Sequence, residues 1–234
     1  MSATQPEPIH LPAPEPIAVD LAIVVLPGFQ QWAGPGTGCW KLYNRLCRTY
    51  RDRTRSLVLL RAWDSDPKLT AALIDERHAA TTIAIGYSYG AGWGVTQLAD
   101  ELDQLQRRID VAFLIDPVPR YRFLPAKLLS LTRQGTYEVP ANVTQAYSWR
   151  QVNKRSWDDP VGRPIRAADP SQTWTQELAV YGADMDLLHQ HGGSNRNWRL
   201  DADIHHSNID DRPEIHDAIL TSIARAVAPV RRTP

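Results

Sequence analysis

The sequence predicts an α/β fold: a mostly parallel sheet of about six to eight strands with helices on both faces. Three observations predict it. Several short runs are almost wholly apolar, as strands buried on both faces must be. Stretches with apolar residues at helical spacing follow those runs. Turn residues, chiefly glycine and proline, separate the two kinds of segment. This alternation calls for a parallel sheet covered on both sides, with right-handed crossovers and with its chemistry at the carboxyl ends of the strands.

The elements follow in order. "DLAIVVL" (20–26) is the first strand, followed by the turn-rich "PGFQQWAGPGTG". A helix carrying Cys39, Leu42, Tyr43, Leu46 and Cys47 on one side comes next. "SLVLLRA" (56–62) is the second strand, and Leu69, Leu73 and Ile74 suggest a short helix. "TTIAIG" (81–86) is the third strand, with Val95, Leu98, Leu102 and Leu105 then recurring at helical spacing. "DVAFLID" (110–116) is the fourth. A proline-punctuated excursion over 118–140 follows, then two weaker strands, "NVTQAYSW" (142–149) and "ELAVYG" (177–182). In the last helix Asp211 is expected to cap, Glu214 to complete a capping box and Pro213 to sit in the first turn. Ile215, Ile219, Ile223 and Val227 line its buried face.

At 234 residues the chain suits one domain with a full core, placed at 18–234. Residues 1–17, rich in alternating proline, read as a flexible, extended arm. The formal net charge is zero, so no global field favours nucleic acid or an anionic membrane. No apolar run approaches the roughly 20 residues of a membrane span, and the N-terminus does not read as a signal peptide. Cys39 and Cys47, eight apart on one helix, lie about 12 Å apart and too far for a disulfide. Free thiols lean towards a reducing, cytoplasmic setting.

The chemistry centres on "TTIAIGYSYGAGWG" (81–94), where a strand ends on a serine between two glycines. A nucleophile on a sharp strand-to-helix turn needs small residues two before and two after it, and Gly86 and Gly90 stand there around Ser88. The turn would lift the hydroxyl above the sheet and aim the next helix's N-terminus at it. Unpaired N–H groups there suit an oxyanion, that of Tyr89 among them. The bland alternative is that the glycines only tighten a turn. "IAIGYSYGAGWG", with the strand order, resembles the α/β-hydrolase superfamily over most of the chain from about residue 18, with a minimal core lacking the family's first two strands.

That resemblance implies a nucleophile–acid–histidine order along the chain. Asp116 ends the strand after the serine's, in "LIDPV", similar to the variant in some lipases that carry the acid there. An aspartate closing an Asp-Pro turn is its ordinary alternative. Asp158 and Asp159 occupy the family's more usual place for the acid, and Asp184 and Asp186 are remoter. Among seven histidines, His205 and His206 precede the last helix, and "HSNIDD" is similar to endings that favour His206, with His205 the alternate. His216, inside the helix, reads as structural. Pro27-Gly28-Phe29 stands where many relatives carry His-Gly-x, which puts Phe29 at the second oxyanion donor and Gln30 beside it; the proline is a departure.

Other chemistries fit less well. "GPGTG" (34–38) lacks the Lys-Ser/Thr of a phosphate loop. Asp184, Asp186, His189 and His191 show no defined metal-ligand spacing, so no metal and no cofactor are expected. The 118–140 excursion is a candidate lid. The resemblance therefore implies a serine hydrolase, esterase- or lipase-like, acting on a small-molecule or lipid-like carboxylic ester or thioester. A catalytically silent binding or scaffold protein and an acyltransferase on the same triad are the alternatives. Neither substrate nor oligomeric state is legible.

Overall fold

The computed structural model describes residues 18–29, 31, 34–50, 55–119, 136–152, 162–181, 196–199 and 204–227. Its centre is a seven-stranded sheet in which every pairing is parallel. In chain order the strands are β1 (Leu21–Leu26), β2 (Ser56–Leu60), β3 (Thr81–Tyr87), β4 (Ile109–Ile115), β6 (Val143–Gln151), β8 (Trp174–Tyr181) and β9 (Arg196–Arg199). They lie side by side as β2-β1-β3-β4-β6-β8-β9. Two three-residue strands, β5 (Tyr137–Val139) and β7 (Ile165–Ala167), form a separate parallel pair.

The hydropathy of each strand follows from its place. All six residues of β1, between β2 and β3, are buried, whereas edge strand β2 is half-buried throughout. Helices α1 (Gly38–Tyr50) and α4 (Pro213–Ala226) cover one face, packing Leu42, Leu46, Ile215, Ile219 and Ile223 on Ile23, Ile83 and Phe113. Helices α2 (Pro67–Glu76) and α3 (Val95–Gln104) cover the other, packing Ile74, Leu98 and Leu102 on Val24, Ala84 and Leu114. The α/β fold with helices on both faces is therefore present. Cys39 and Cys47 both lie on α1 as free thiols.

Some local expectations differ. The cap of α4 is Arg212, with no side-chain capping bond. Asp211 ends a 3-10 turn (Ile209–Asp211) and pairs instead with Lys41 across to α1, so the capping box at Glu214 does not form. Pro213 does open the helix. Leu69 and Leu105 fit a helical stripe in sequence but are exposed, because α2 buries Thr70, Ala71 and Ile74 and α3 ends at Gln104. The 118–140 excursion ends in β5, while residues 120–135 of it lie outside the described residues, as do residues 1–17. Among the described residues no helix is long and apolar enough to cross a membrane.

Strand register sets the site. Tyr87 pairs with Ile115 and Ile115 with Trp149, so the next residues, Ser88, Asp116 and Arg150, stand side by side on the carboxyl rim. Two backbone bonds extend that register past the strands: Ser88 N–H donates to Ile115 O at 3.0 Å and Asp116 N–H to Trp149 O at 2.7 Å.

Candidate active site

Ser88 follows β3 directly, with φ +53°, a left-handed conformation rare outside glycine. Such strain persists only where its surroundings hold it, and here they do. A Cβ on Gly86 would sit 2.4 Å from Ala91 Cα, and one on Gly90 2.0 Å from Leu26 O. The chain after the serine therefore folds back against β3 and the end of β1. It continues as a π-helical turn (Gly90–Gly94) into α3. Ser88 O accepts from Gly92 N–H at 2.9 Å and Val118 N–H at 3.0 Å, closing the turn on the segment after β4.

Asp116 has the same left-handed backbone, φ +48°, at the end of β4. Its carboxylate is fully buried, and its partners among the described residues are N–H groups. Oδ1 accepts from Gln151 N–H at 3.1 Å and Gly162 N–H at 3.0 Å, and Oδ2 lies 2.5 Å from His206 Nδ1. Gly162 is glycine for a steric reason, since a Cβ there would sit 2.0 Å from Asp116 Oδ1. Gln151 presents a second feature: its side-chain amide is buried with neither polar atom paired among the described residues, and its contact with Asp116 is through the backbone.

His206 completes the contact, with Nε2 2.9 Å from Ser88 Oγ. An ionised carboxylate only accepts, so a neutral ring facing it carries its proton on Nδ1 and leaves Nε2 free to accept from the serine hydroxyl. The residue is 7% exposed, and its ring stacks on Tyr87, centroids 5.2 Å apart. Tyr87 O–H also donates to His206 O. Ile209, three residues on, is fully buried and fixes the loop to the core.

The structure separates the remaining candidates. The His205 ring bonds locally, Nδ1 to Ser207 Oγ at 2.8 Å and Nε2 to Asn208 Nδ2 at 3.2 Å, away from Ser88. His216 is buried in α4, with Nε2 donating to Asp210 O at 2.7 Å, and its desolvation lowers its pKa below the ordinary value. Asp158, Asp159 and Gln30 lie outside the described residues, as do Asp184, Asp186, His189 and His191. Among the described residues no three His, Cys, Asp or Glu side chains gather into a metal-binding group.

Phe29 follows Gly28 in the loop after β1, and Tyr89 follows Ser88 directly. A Cβ on Gly28 would lie 2.8 Å from Ser88 Cβ, so the loop after β1 runs against the serine itself. The side chains of Phe29, Trp63 and Tyr89 meet pairwise, with centroids 5.4–5.9 Å apart, and Phe29 is 55% exposed. They form an aromatic rim. Trp63 also lines a cavity of about 190 Å³, with Leu26, Asp66, Thr70, Trp93 and Gln97.

Sequence reasoning missed Tyr87 and Gly162, whose contacts with the histidine loop and the acid join distant segments. Only Tyr87's place beside the serine hinted at a role. No family model matches the chain, and no curated protein matches it significantly. Among solved structures it is similar to RedJ, determined with a polyethylene glycol molecule in its active site. That similarity is 14% identity over 96% of this chain and 99% of RedJ, with a TM-score of 0.39. A likeness that slight transfers no activity, and the chemistry of the rim rests on this chain's own residues.

Proposed function

We propose that the protein is a serine hydrolase that cleaves a carboxylic ester or thioester through an acyl-enzyme. One observation carries the reading: the continuous hydrogen-bonded chain from Ser88 Oγ through both nitrogens of His206 to Asp116. In this reading Ser88 Oγ attacks the acyl carbon as His206 Nε2 takes its proton. The tetrahedral oxyanion is held by the N–H groups of Tyr89 and Phe29. Collapse expels the alcohol or thiol, which receives that proton from His206. Water, deprotonated by the same nitrogen, then releases the acid and restores Ser88. Asp116 keeps the ring in the useful tautomer and stabilises the imidazolium.

The near-complete burial of Ser88 and His206 supports the reading, because hydrogen bonds act more strongly where water is excluded. The rim of Phe29, Trp63 and Tyr89 suits an apolar acyl or alkyl group. A fluorophosphonate probe tests the reaction class. The folded protein should label stoichiometrically and Ser88→Ala should not. A folded protein that fails to label, or labelling that survives Ser88→Ala, would overturn the proposal. A panel of esters and thioesters with graded acyl chains then defines the substrate.

A further inference from the structure

We infer that Asp210 is a positioning residue: its buried carboxylate fastens the loop after β1 to the loop that carries His206, keeping donor, serine and base in one arrangement. The inference rests on the hydrolase reading of the site, and its geometry stands on contacts outside the Ser88–His206–Asp116 chain.

Asp210 is 1% exposed and lies four residues after His206. Its Oδ2 accepts from Gln31 Nε2 at 3.0 Å and from Cys39 N–H at 3.3 Å, at the N-terminus of α1. One oxygen thus joins the loop after β1, the first turn of α1 and the histidine loop. Gln31 in turn closes the loop's own turn, its N–H donating to Gly28 O at 3.1 Å. Gly28 is the residue packed on Ser88 Cβ, and Phe29 follows it. The other end of the Gln31 amide, Oε1, is buried and has no hydrogen-bond partner among the described residues. Among the described residues Asp210 is the group that orients that side chain, and the amide must present Nε2 to a carboxylate.

The histidine loop is pinned on its far side as well. Asp210 O accepts from His216 Nε2 at 2.7 Å, tying it to α4. A Cβ on Gly38 would sit 2.3 Å from Asp210 C and O, so α1 abuts the loop's backbone. Burial pushes the Asp210 carboxyl up to about 6, with the Gln31 and Cys39 N–H groups pulling the other way and neighbouring Asp211 adding to the rise. The partial positive charge at the start of α1 favours the anion.

Two variants break the clamp from opposite sides. Asp210→Ala removes the acceptor. Gln31→Leu removes the donor while leaving the Cys39 and His216 bonds in place, so it remains informative if the alanine variant folds poorly. Asp210→Asn should rescue, because an amide oxygen at the Oδ2 position can still accept from both N–H groups. The first readout is the second-order rate of fluorophosphonate labelling, expected to fall roughly tenfold in Asp210→Ala and in Gln31→Leu. It should fall no further in the double variant, and Asp210→Asn should stay within about threefold of the parent. The second readout is amide hydrogen exchange, which needs no activity. In Gln31→Leu it should speed up both in residues 28–31 and in residues 204–209. If the parent protein does not label, the hydrolase reading fails and exchange alone decides the clamp. Unchanged exchange in either loop of Gln31→Leu overturns the clamp. So do labelling rates within twofold of the parent, or multiplicative losses in the double variant.

Discussion

Gly162 N–H and Asp116 Oδ1 lie 3.0 Å apart, closer than any residue with a side chain at position 162 would allow. The contact accounts for a glycine at this position. It also makes a prediction separate from the serine itself. Gly162→Ala would force the Asp116 carboxylate to turn or its neighbour to withdraw, loosening the group that faces His206. Turnover should fall roughly tenfold to a hundredfold while Ser88 and His206 are untouched. Full activity in a folded Gly162→Ala protein would show that the carboxylate's exact seat does not matter.

The three residues of the hydrogen-bonded chain should fail together. Ser88→Ala, His206→Ala and Asp116→Asn are each expected to lower turnover on a responsive ester by roughly a thousandfold or more, since such groups act as a unit. His205→Ala, whose ring bonds Ser207 and Asn208, should stay within a few-fold of the parent. Asp158→Asn and Asp159→Asn should also remain active. Measuring kcat/KM across these six proteins checks the assignment. Crippling losses at 158 or 159 with a silent Asp116→Asn would move the acid elsewhere.

Tyr87 fastens the histidine loop from behind, stacking on the His206 ring and donating to its carbonyl oxygen. Tyr87→Phe keeps the stack and deletes the donor. A buried carbonyl left without this partner should cost about 1–2 kcal/mol of stability. The freed loop should slow turnover several-fold, with KM little changed. Thermal unfolding and steady-state kinetics on the same preparation separate the two effects. A change in KM alone would place Tyr87 in substrate binding instead.

What the sequence reveals depends on how local the cause is. Strands β1 and β3 read directly because burial on both faces leaves continuous apolar runs, Ala22 to Val25 and Ile83 to Ile85. Strand β9, "RNWR", carries no such run, and its pairing with β8 defines it. Strands β5 and β7 are three residues each, too short for any period to emerge. The Asp211–Glu214 box was legible yet unformed, because the 3-10 turn and the Lys41 pair take Asp211 first. At the rim, Ser88 and Asp116 each close an apolar strand, so their neighbourhood is readable. Gly162 to Asp116, Tyr87 to His206 and Gln31 to Asp210 span 46, 119 and 179 residues, and no local pattern encodes them. His205 and His206 are alike in composition and spacing. Packing against Tyr87 and Asp116 tells them apart.

Asp210 also carries a pH signature. Its carboxyl is raised from 3.8 to about 6, so the folded protein holds this proton more tightly than the unfolded chain does. The stability associated with that proton is fully present below the unfolded value and is lost as pH rises through about 6. At 1.36 kcal/mol per pKa unit the loss is on the order of 3 kcal/mol. Asp210→Asn cannot ionise and should escape it. His216, lowered by its burial, gives a slope of the opposite sign over a neighbouring range. Asp211 and Asp217, with their partners Lys41 and Arg45, also stand nearby. All of these are common to both proteins, so the difference between them isolates Asp210. Urea unfolding at intervals from pH 4 to pH 8 should show Asp210→Asn gaining on the parent as pH rises, with most of the gain between pH 4 and pH 6 and little above pH 7. A stability difference that stays flat across that window would mean the carboxyl is not held above its ordinary range, and that ionising it in the clamp costs the fold nothing.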